Sequence, residues 1–335
     1  MKIPKQLWIL LGVAVVSALA YSTTIMTSFN SGDSPYTDDT VEFQLALVLW
    51  GVPHHTGYPL YMLLGSPFVN VLRFFGVPPA LGSSLFSTLW TLIAVVGVAM
   101  IVLRITQRHE DTKTQNLFIV HSSLFILHCS FFIVHCSFFI ALVFALTRSI
   151  WIHASIAEVY ALNIAFEVAI LWLTLELMEK WDDKKGYLLA FVAGLGVAHH
   201  RLVAVGLPVV GLMLLPAWYK GIQGDEETGK YQGDVRRLPA YLFTYLPVYL
   251  FTCLLLFALG FLPYLDIMRR IARGSTWVYG KTNSWQGLWN LFTASEVSDW
   301  QKPIIDLATI TQNLLDIVQV LGNELTWAVF AATAL

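Results

Sequence analysis

Between Ser31 and Tyr61 the chain reads SGDSPYTDDTVEFQLALVLWGVPHHTGYPLY. Four carboxylates, Asp33, Asp38, Asp39 and Glu42, follow directly on the first apolar run. Carboxylates at a membrane face cost desolvation energy and are seldom placed there without a task. Asp38 and Asp39 are adjacent, so their side chains diverge in any regular structure. Asp39 and Glu42 are three apart, and a helix beginning near Asp39 puts both on one face, with Asp39 able to cap it. As chemistry, the pair reads as a general base that takes a proton from an acceptor hydroxyl, tuned by a neighbouring carboxylate. As plain structure, it reads as the capping charges of an interfacial helix.

Other residues offer binding chemistry. His54 and His55 precede a Gly57-Tyr58-Pro59 turn. They read either as interfacial polar residues or as positioned hydrogen-bond donors. Glu158 lies in an apolar stretch, SIWIHASIAEVYALN, where an unpaired carboxylate is expensive. Arg148 and Tyr160 are its candidate partners, and a structural ion pair and a substrate contact both fit. His199, His200 and Arg201 interrupt another apolar run. Arginine suits phosphate because its fork donates two parallel hydrogen bonds. Residues 266–302 hold Arg269, Arg270, Arg273 and Lys281 among Trp277, Tyr279, Trp285 and Trp289. Those rings serve as interfacial anchors or stack on a sugar face.

The elements that carry these residues follow from composition. Of 335 residues, 56% are hydrophobic and 13% charged, against about 25% charged in a soluble domain. Several apolar runs reach the roughly 20 residues that a helix needs to cross a bilayer. The fold class is therefore an all-α polytopic membrane protein. A net charge of −2 gives no reason to expect nucleic acid as a partner. Cys129, Cys136 and Cys253 lie in apolar runs and form no disulfide or metal motif. The N-terminus has the basic start of a signal peptide, but the many later spans favour an uncleaved first helix.

Spanning helices are expected near 7–27, 80–103, 117–147, 156–179 and 240–263. The apolar run from Tyr187 to Trp218, as one straight helix, would far exceed a core of about 30 Å. It reads instead as two short helices with a turn at His199-His200-Arg201, tolerated at that depth if it lines a protein cavity. The segment 58–76, interrupted by Gly65, Ser66 and Pro67, decides the topology. If it lies in the interface, the clusters Lys2/Lys5, Arg104/Arg108/Lys113, Lys180/Lys184/Lys185 and Lys220/Lys230/Arg236/Arg237 all fall on the cytoplasmic side. The first outer loop (28–79), Arg148 to Asn163, the histidine turn and the loop 266–302 then share the outer face. Residues 117–140 hold a seven-residue repeat, LFIVHSS-LFILHCS-FFIVHCS. It puts His121, His128 and His135 on one drifting helical stripe, which reads as an expanded repeat inside a span and not as a site.

In this order the residues resemble a family. Asp39-Thr-Val-Glu42-Phe resembles its D-x-x-E-F element, and Pro53 to Tyr61 its H-P-P-G-Y-P-L-Y element. Glu158 to Asn163 is similar to its E-V-Y-x-L-N element, and Gly194-Leu195-Gly196 with His199-His200 to its G-L-x-x-x-x-H element. Trp277 to Phe292 resembles a diverged W-G-x-x-x-x-x-G-F region. The family is the DUF2723 group of membrane proteins, related to protein O-mannosyltransferases of the GT-C glycosyltransferase fold. The resemblance implies one GT-C-like transmembrane domain over residues 1–335 in a bacterial cell membrane, with a cytoplasmic N-terminus.

It also implies inverting transfer of a sugar, with mannose expected, from a polyprenyl-phosphate carrier to a protein or glycan acceptor on the extracytoplasmic side. Asp39 is then the base and Glu42 an orienting or metal-leaning carboxylate. His54, His55, Tyr58, Glu158, Tyr160, His199, His200, Arg201 and Trp277 are substrate contacts, with Arg201 on the phosphate. The cofactor is left open, a divalent metal included, because two carboxylates alone do not make a metal site. His55 and Thr56 depart from the pattern, standing where the family has paired prolines. The chain stops 11 residues into a last apolar run, which reads as a truncated member. The rival readings are a lipid-linked sugar transporter or flippase and an inactive copy. A transporter would hold its polar groups near the midplane, in two repeated halves.

Overall fold

The computed structural model describes residues 5–29, 39–116, 123–223, 245–280, 282–295 and 306–334. Asp33, Asp38, Lys230, Arg236, Arg237 and Lys281 lie outside them. The described chain is helical throughout, apart from one isolated parallel bridge between Val52 and Val278. Pro79–Gln107, Tyr160–Glu179, Val203–Lys220 and Leu246–Ala272 are long and apolar enough to cross a membrane. A fifth candidate is the bent pair His135–Leu146 and Arg148–Ser155. The protein is an all-α, multi-pass membrane protein. It divides into two compact units, residues 1–44, 68–165 and 297–335, and residues 45–67 and 166–296.

The first unit contains α1 (Lys5–Ser22), α4 (Pro79–Asn116), α5 (Ser123–Leu146), α6 (Arg148–Ser155) and α13 (Leu307–Ala334). α1 packs on α4 and α5 through Ile9, Val13, Val95, Leu103 and the alanines 99, 141, 145 and 154. Small side chains let helix backbones approach where lipid gives no hydrophobic drive. Tyr21 is fully buried there and donates its hydroxyl to Ala145 O at 2.9 Å, so its polar end is satisfied. α5 and α6 meet at a 66° bend, because Thr147 adopts extended backbone (ψ 143°) and ends the helix. The sequence reading of one straight span over 117–147 misses this bend. Glu324 of α13 holds the start of α6, accepting from the Ser149 amide at 3.1 Å and its hydroxyl at 2.6 Å. A carboxylate suits the partial positive charge of a helix N-terminus.

The second unit contains α8 (Asp183–His199), α9 (Val203–Gln223), α10 (Leu246–Leu259), α11 (Tyr264–Ala272) and α12 (Trp285–Thr293). α8 packs on α10 so closely that a Cβ at Gly194 would land on Phe257 O, and one at Gly260 on the Gly194 backbone. Ile170, Leu173, Leu177, Leu189, Ala193 and Val197 form its core. Val205, Val209, Leu212 and Leu215 of α9 stand exposed, as expected of a surface whose solvent is lipid. The chain passes from one unit to the other within α2 (Thr40–Leu49), α3 (Pro59–Phe74) and α7 (Tyr160–Glu179).

The two helices expected around the histidine turn are α8 and α9, which break at His200-Arg201-Leu202. The segment 58–76 forms one helix, α3, that runs through Pro67. A difference falls at 266–302, read as loop from the sequence. Residues 266–272 belong to α11, an amphipathic helix that follows α10 after a four-residue turn. The stripe of repeat histidines has only His135 among the described side chains, exposed on α5.

Candidate active site

In the first unit, Asp39 stands exposed at the head of α2, and its carbonyl accepts the first helical hydrogen bond, from Phe43 N at 3.1 Å. That is the cap position its spacing predicts. Glu42 occupies the first turn, half-buried. Glu158 lies in the break between α6 and α7, with 5% of its surface exposed.

The break is clamped from two helices. Ser87 of α4 accepts from the Glu158 amide at 3.1 Å and donates to the Glu158 carbonyl at 3.2 Å. Its neighbour Thr88 donates to Ala154 O at 2.6 Å. From the end of α1, Thr24 pairs with the Ser155 hydroxyl at 2.9 Å and accepts from Trp151 Nε1 at 2.7 Å. Met26 N donates to Ser155 O at 2.8 Å. Backbone groups left open by a helix break need such partners in an apolar setting.

The position controls the charge of Glu158. Burial raises its pKa to about 8, and the Asp39 charge pushes the same way, against the Val159 amide and the Thr40 hydroxyl. At neutral pH the carboxyl is mostly protonated. Arg148, the cation expected to pair with it, is not among the groups acting on it. Tyr160 begins α7 with its ring 4.8 Å from that of His153. Ser87 escapes a motif search, yet the sequence carries a signal for it. Ser83, Ser84, Ser87, Thr88 and Thr91 recur at helical spacing in an otherwise apolar helix, and such a stripe must face protein.

The second unit gathers rings. The backbone of Val52 accepts from Tyr279 N at 2.9 Å and donates to Trp277 O at 2.7 Å, which ties the loop before His54 to residues 277–279. Gly57 turns the chain with φ +77°, where an added Cβ would meet Leu291 at 2.5 Å. Its amide donates to His54 O at 2.6 Å, and Tyr264 donates its hydroxyl to Thr56 O at 2.9 Å. His54 then lies 5.6 Å from His55 and 5.5 Å from Tyr58, ring centre to ring centre. Tyr58 stacks on His200 at 5.9 Å and meets His199 edge-on at 6.2 Å.

Thus His54, His55, Tyr58, His199 and His200 form one cluster. It also includes Tyr279, one of the rings the sequence offers for a sugar face, 5.5 Å from His55, and, on His199, Phe166 at 6.0 Å and Tyr61 stacked at 6.3 Å. Trp277 joins through its backbone, and its ring is partly exposed. Burial, aided by the Arg201 charge, lowers the His200 pKa to about 4. Its Nδ1 accepts from the Leu202 amide at 3.2 Å, so the neutral ring carries its proton on Nε2. Arg201 is exposed and donates to Thr293 O at 3.1 Å.

Arg270 is different. It is 3% exposed, donates to Asp266 at 2.6 Å, to Ser66 Oγ at 3.0 Å and to Met62 O at 2.8 Å, and lies over Trp50 at 5.1 Å. Arg269 holds the other oxygen of Asp266. These arginines fasten α11, and Arg270 is enclosed.

The family model of the protein O-mannosyl-transferase TMEM260 N-terminal domain matches residues 39–222, more than half of the chain. The chain belongs to this family. Comparison with curated proteins and with solved structures gave no match. The TMEM260 family match begins at Asp39 and covers the carboxylates and the histidine cluster, while Trp277 lies beyond it. The protein is a membrane glycosyltransferase of this family.

Proposed function

We propose that the protein moves mannose from a polyprenyl-phosphate carrier to a hydroxyl of a protein or glycan, with inversion, at the extracytoplasmic face, as a GT-C type enzyme. The observation that supports this best is the pair formed by an exposed Asp39 and a buried, protonated Glu158. Burial favours the acid form of Glu158, which suits it to donate, while the exposed Asp39 is open to an acceptor. Asp39 accepts the acceptor's proton as its oxygen attacks the anomeric carbon. The carbon–oxygen bond to phosphate breaks, and the electron pair leaves with the carrier phosphate. Single displacement inverts the anomeric centre. Glu158 donates a hydrogen bond to a substrate oxygen, and Glu42 orients Asp39.

In the second unit, the Arg201 fork suits the carrier phosphate. A neutral His200 adds a donor without charge, and the rings of His54, His55, Tyr58, His199 and Trp277 suit a sugar, as does that of Tyr160 in the first unit. The test is transfer from polyprenyl-phosphate mannose in membranes carrying the wild-type chain, Asp39→Asn or Glu42→Gln at equal expression. The expected result is transfer by the wild-type chain and a loss of about 10²-fold or more in Asp39→Asn, as for removal of a general base. Full activity of Asp39→Asn would overturn the assignment of the base. No transfer by the wild-type chain would overturn the function.

A further inference from the structure

Beside the histidine cluster, within the second unit, lies a cavity of about 120 Å³. Its polar lining is His55, Tyr279, Thr282 and Asn290, and Leu291 and two glycines complete it. Thr282 is 3% exposed, and its hydroxyl has no hydrogen-bond partner. A buried hydroxyl in that state costs stability unless something completes it. Asn290 accepts through Oδ1 from Gln286 at 2.8 Å, which leaves its NH2 as the donating end. Tyr279 and His55 add an edge-to-face ring pair at 5.5 Å.

The cavity suits one kind of ligand. Among the described residues its lining is polar and uncharged. A volume of about 120 Å³ is too little for a lipid chain or a folded peptide segment, and admits one edge of a small ring. A hydroxyl that both donates and accepts, an amide donor and flat ring faces together match the edge of a neutral, hydroxylated ring.

We propose that this cavity is a carbohydrate subsite, in which Thr282 and Asn290 hold ring hydroxyls of a sugar and Tyr279 packs on its carbon face. The inference rests on the sugar-transfer reading and adds Thr282 and Asn290 to the His55 and Tyr279 that the sequence already offers. Thr282→Val removes the hydroxyl at nearly constant volume. A hydroxyl with a purely structural role would leave sugar binding untouched. A ligand-binding one loses affinity while the fold is unchanged or more stable, since an unsatisfied polar atom is gone.

The experiment uses the full chain in lipid nanodiscs, with methyl α-mannopyranoside as the probe, titrated by saturation-transfer NMR alongside thermal unfolding. We expect saturable binding by the wild-type chain and by Thr282→Ser. We expect about fivefold to tenfold weaker binding by Thr282→Val, the size of one lost hydrogen bond, with an unchanged or raised Tm. Equal binding by Thr282→Val, or no saturable binding by the wild-type chain, would overturn the subsite and leave the cavity to water. Repeating the titration with polyprenyl-phosphate mannose identifies the source. Displacement of the probe assigns the donor's sugar, and joint binding assigns a sugar of the acceptor. A parallel transfer assay separates the two claims. Transfer with Thr282-independent binding removes only the subsite, whereas Thr282-dependent binding without transfer removes only the reaction.

Discussion

The carboxylate centre of the first unit and the ring cluster of the second solve the same problem in opposite ways. Both must keep polar groups ready in a molecule built to exclude water. The first fixes backbone. Ser87 and Thr88 of α4, with Thr24 and Met26 after α1, hold the break at residues 154–158. The buried Glu158 then keeps its proton up to about pH 8. The second fixes rings. A backbone bridge and a glycine turn bring Tyr58, beside His54, against His199 and His200, and burial keeps His200 uncharged down to about pH 4. Burial is the leading cause in both regions, keeping the carboxyl protonated in one and the imidazole neutral in the other.

Four measurements break or sharpen that contrast. The largest effect is expected at Arg270, which holds the second region's scaffold. Arg270→Met removes the buried cation and its bonds to Asp266, Ser66 and Met62, leaving Asp266 to Arg269 alone, with an expected loss of about 3 kcal/mol. Denaturant unfolding in detergent reads this directly, and a change under 1 kcal/mol would show that α11 is held by packing alone.

The next effect is in pH. A carboxyl whose pKa is raised by folding binds more protons in the native state than in the unfolded state between about 4.5 and 8. Native stability therefore falls as pH rises through that window and levels off above it. Glu158→Gln stays neutral at every pH, so it flattens this slope. It also removes an alkaline limb in transfer activity centred near pH 8. Parallel unfolding and activity profiles of the two proteins check the sign, and identical slopes would show that Glu158 ionises normally.

Ser87→Ala removes two hydrogen bonds from the backbone of the break, with an expected loss of about 1–2 kcal/mol. The loss should come with a drop in transfer larger than that of Ser83→Ala, whose hydroxyl bonds only within its own helix, to Pro79 O. Equal activities of the two variants would remove Ser87 from the positioning of Glu158. The smallest effect is expected at His200→Gln. A neutral side chain that donates replaces a neutral ring that donates, so activity should change by less than about threefold, with the pH profile between 5 and 7 unaltered. A large loss confined to low pH would show instead that His200 acts as a cation.

The sequence carried the helical spans because apolar run length is a bilayer dimension, and the break at His199–Arg201 because one helix could not be that long. The Asp39 cap was legible from its spacing to Glu42. Three features were not. The bend at Thr147 is one: the polar Thr147-Arg148-Ser149 ends the apolar run there, but nothing in it sets the 66° turn into α6. The association of Asp39 with Glu158 joins residues more than a hundred positions apart, and like charges give no pairing rule to search for. The enclosure of Arg270 was hidden by reading 266–302 as loop. On helix α11 the same residues place Asp266 three and four positions before Arg269 and Arg270, which is ion-pair spacing. Thr282 and Asn290 lie within the Trp277–Phe292 region, but at positions its pattern leaves unspecified, and burial distinguishes Thr282 alone.

The central claim is that this chain breaks a sugar–phosphate bond. The most direct measurement follows labelled polyprenyl-phosphate mannose in vesicles reconstituted with the full chain, resolving intact donor in each leaflet, free carrier phosphate and the anomeric configuration of the product. The account predicts cleavage by the wild-type chain, a product of configuration opposite to the donor, and no cleavage by Asp39→Asn. Intact donor moved between leaflets without cleavage would contradict it and make the protein a transporter, and a retained configuration would contradict single displacement.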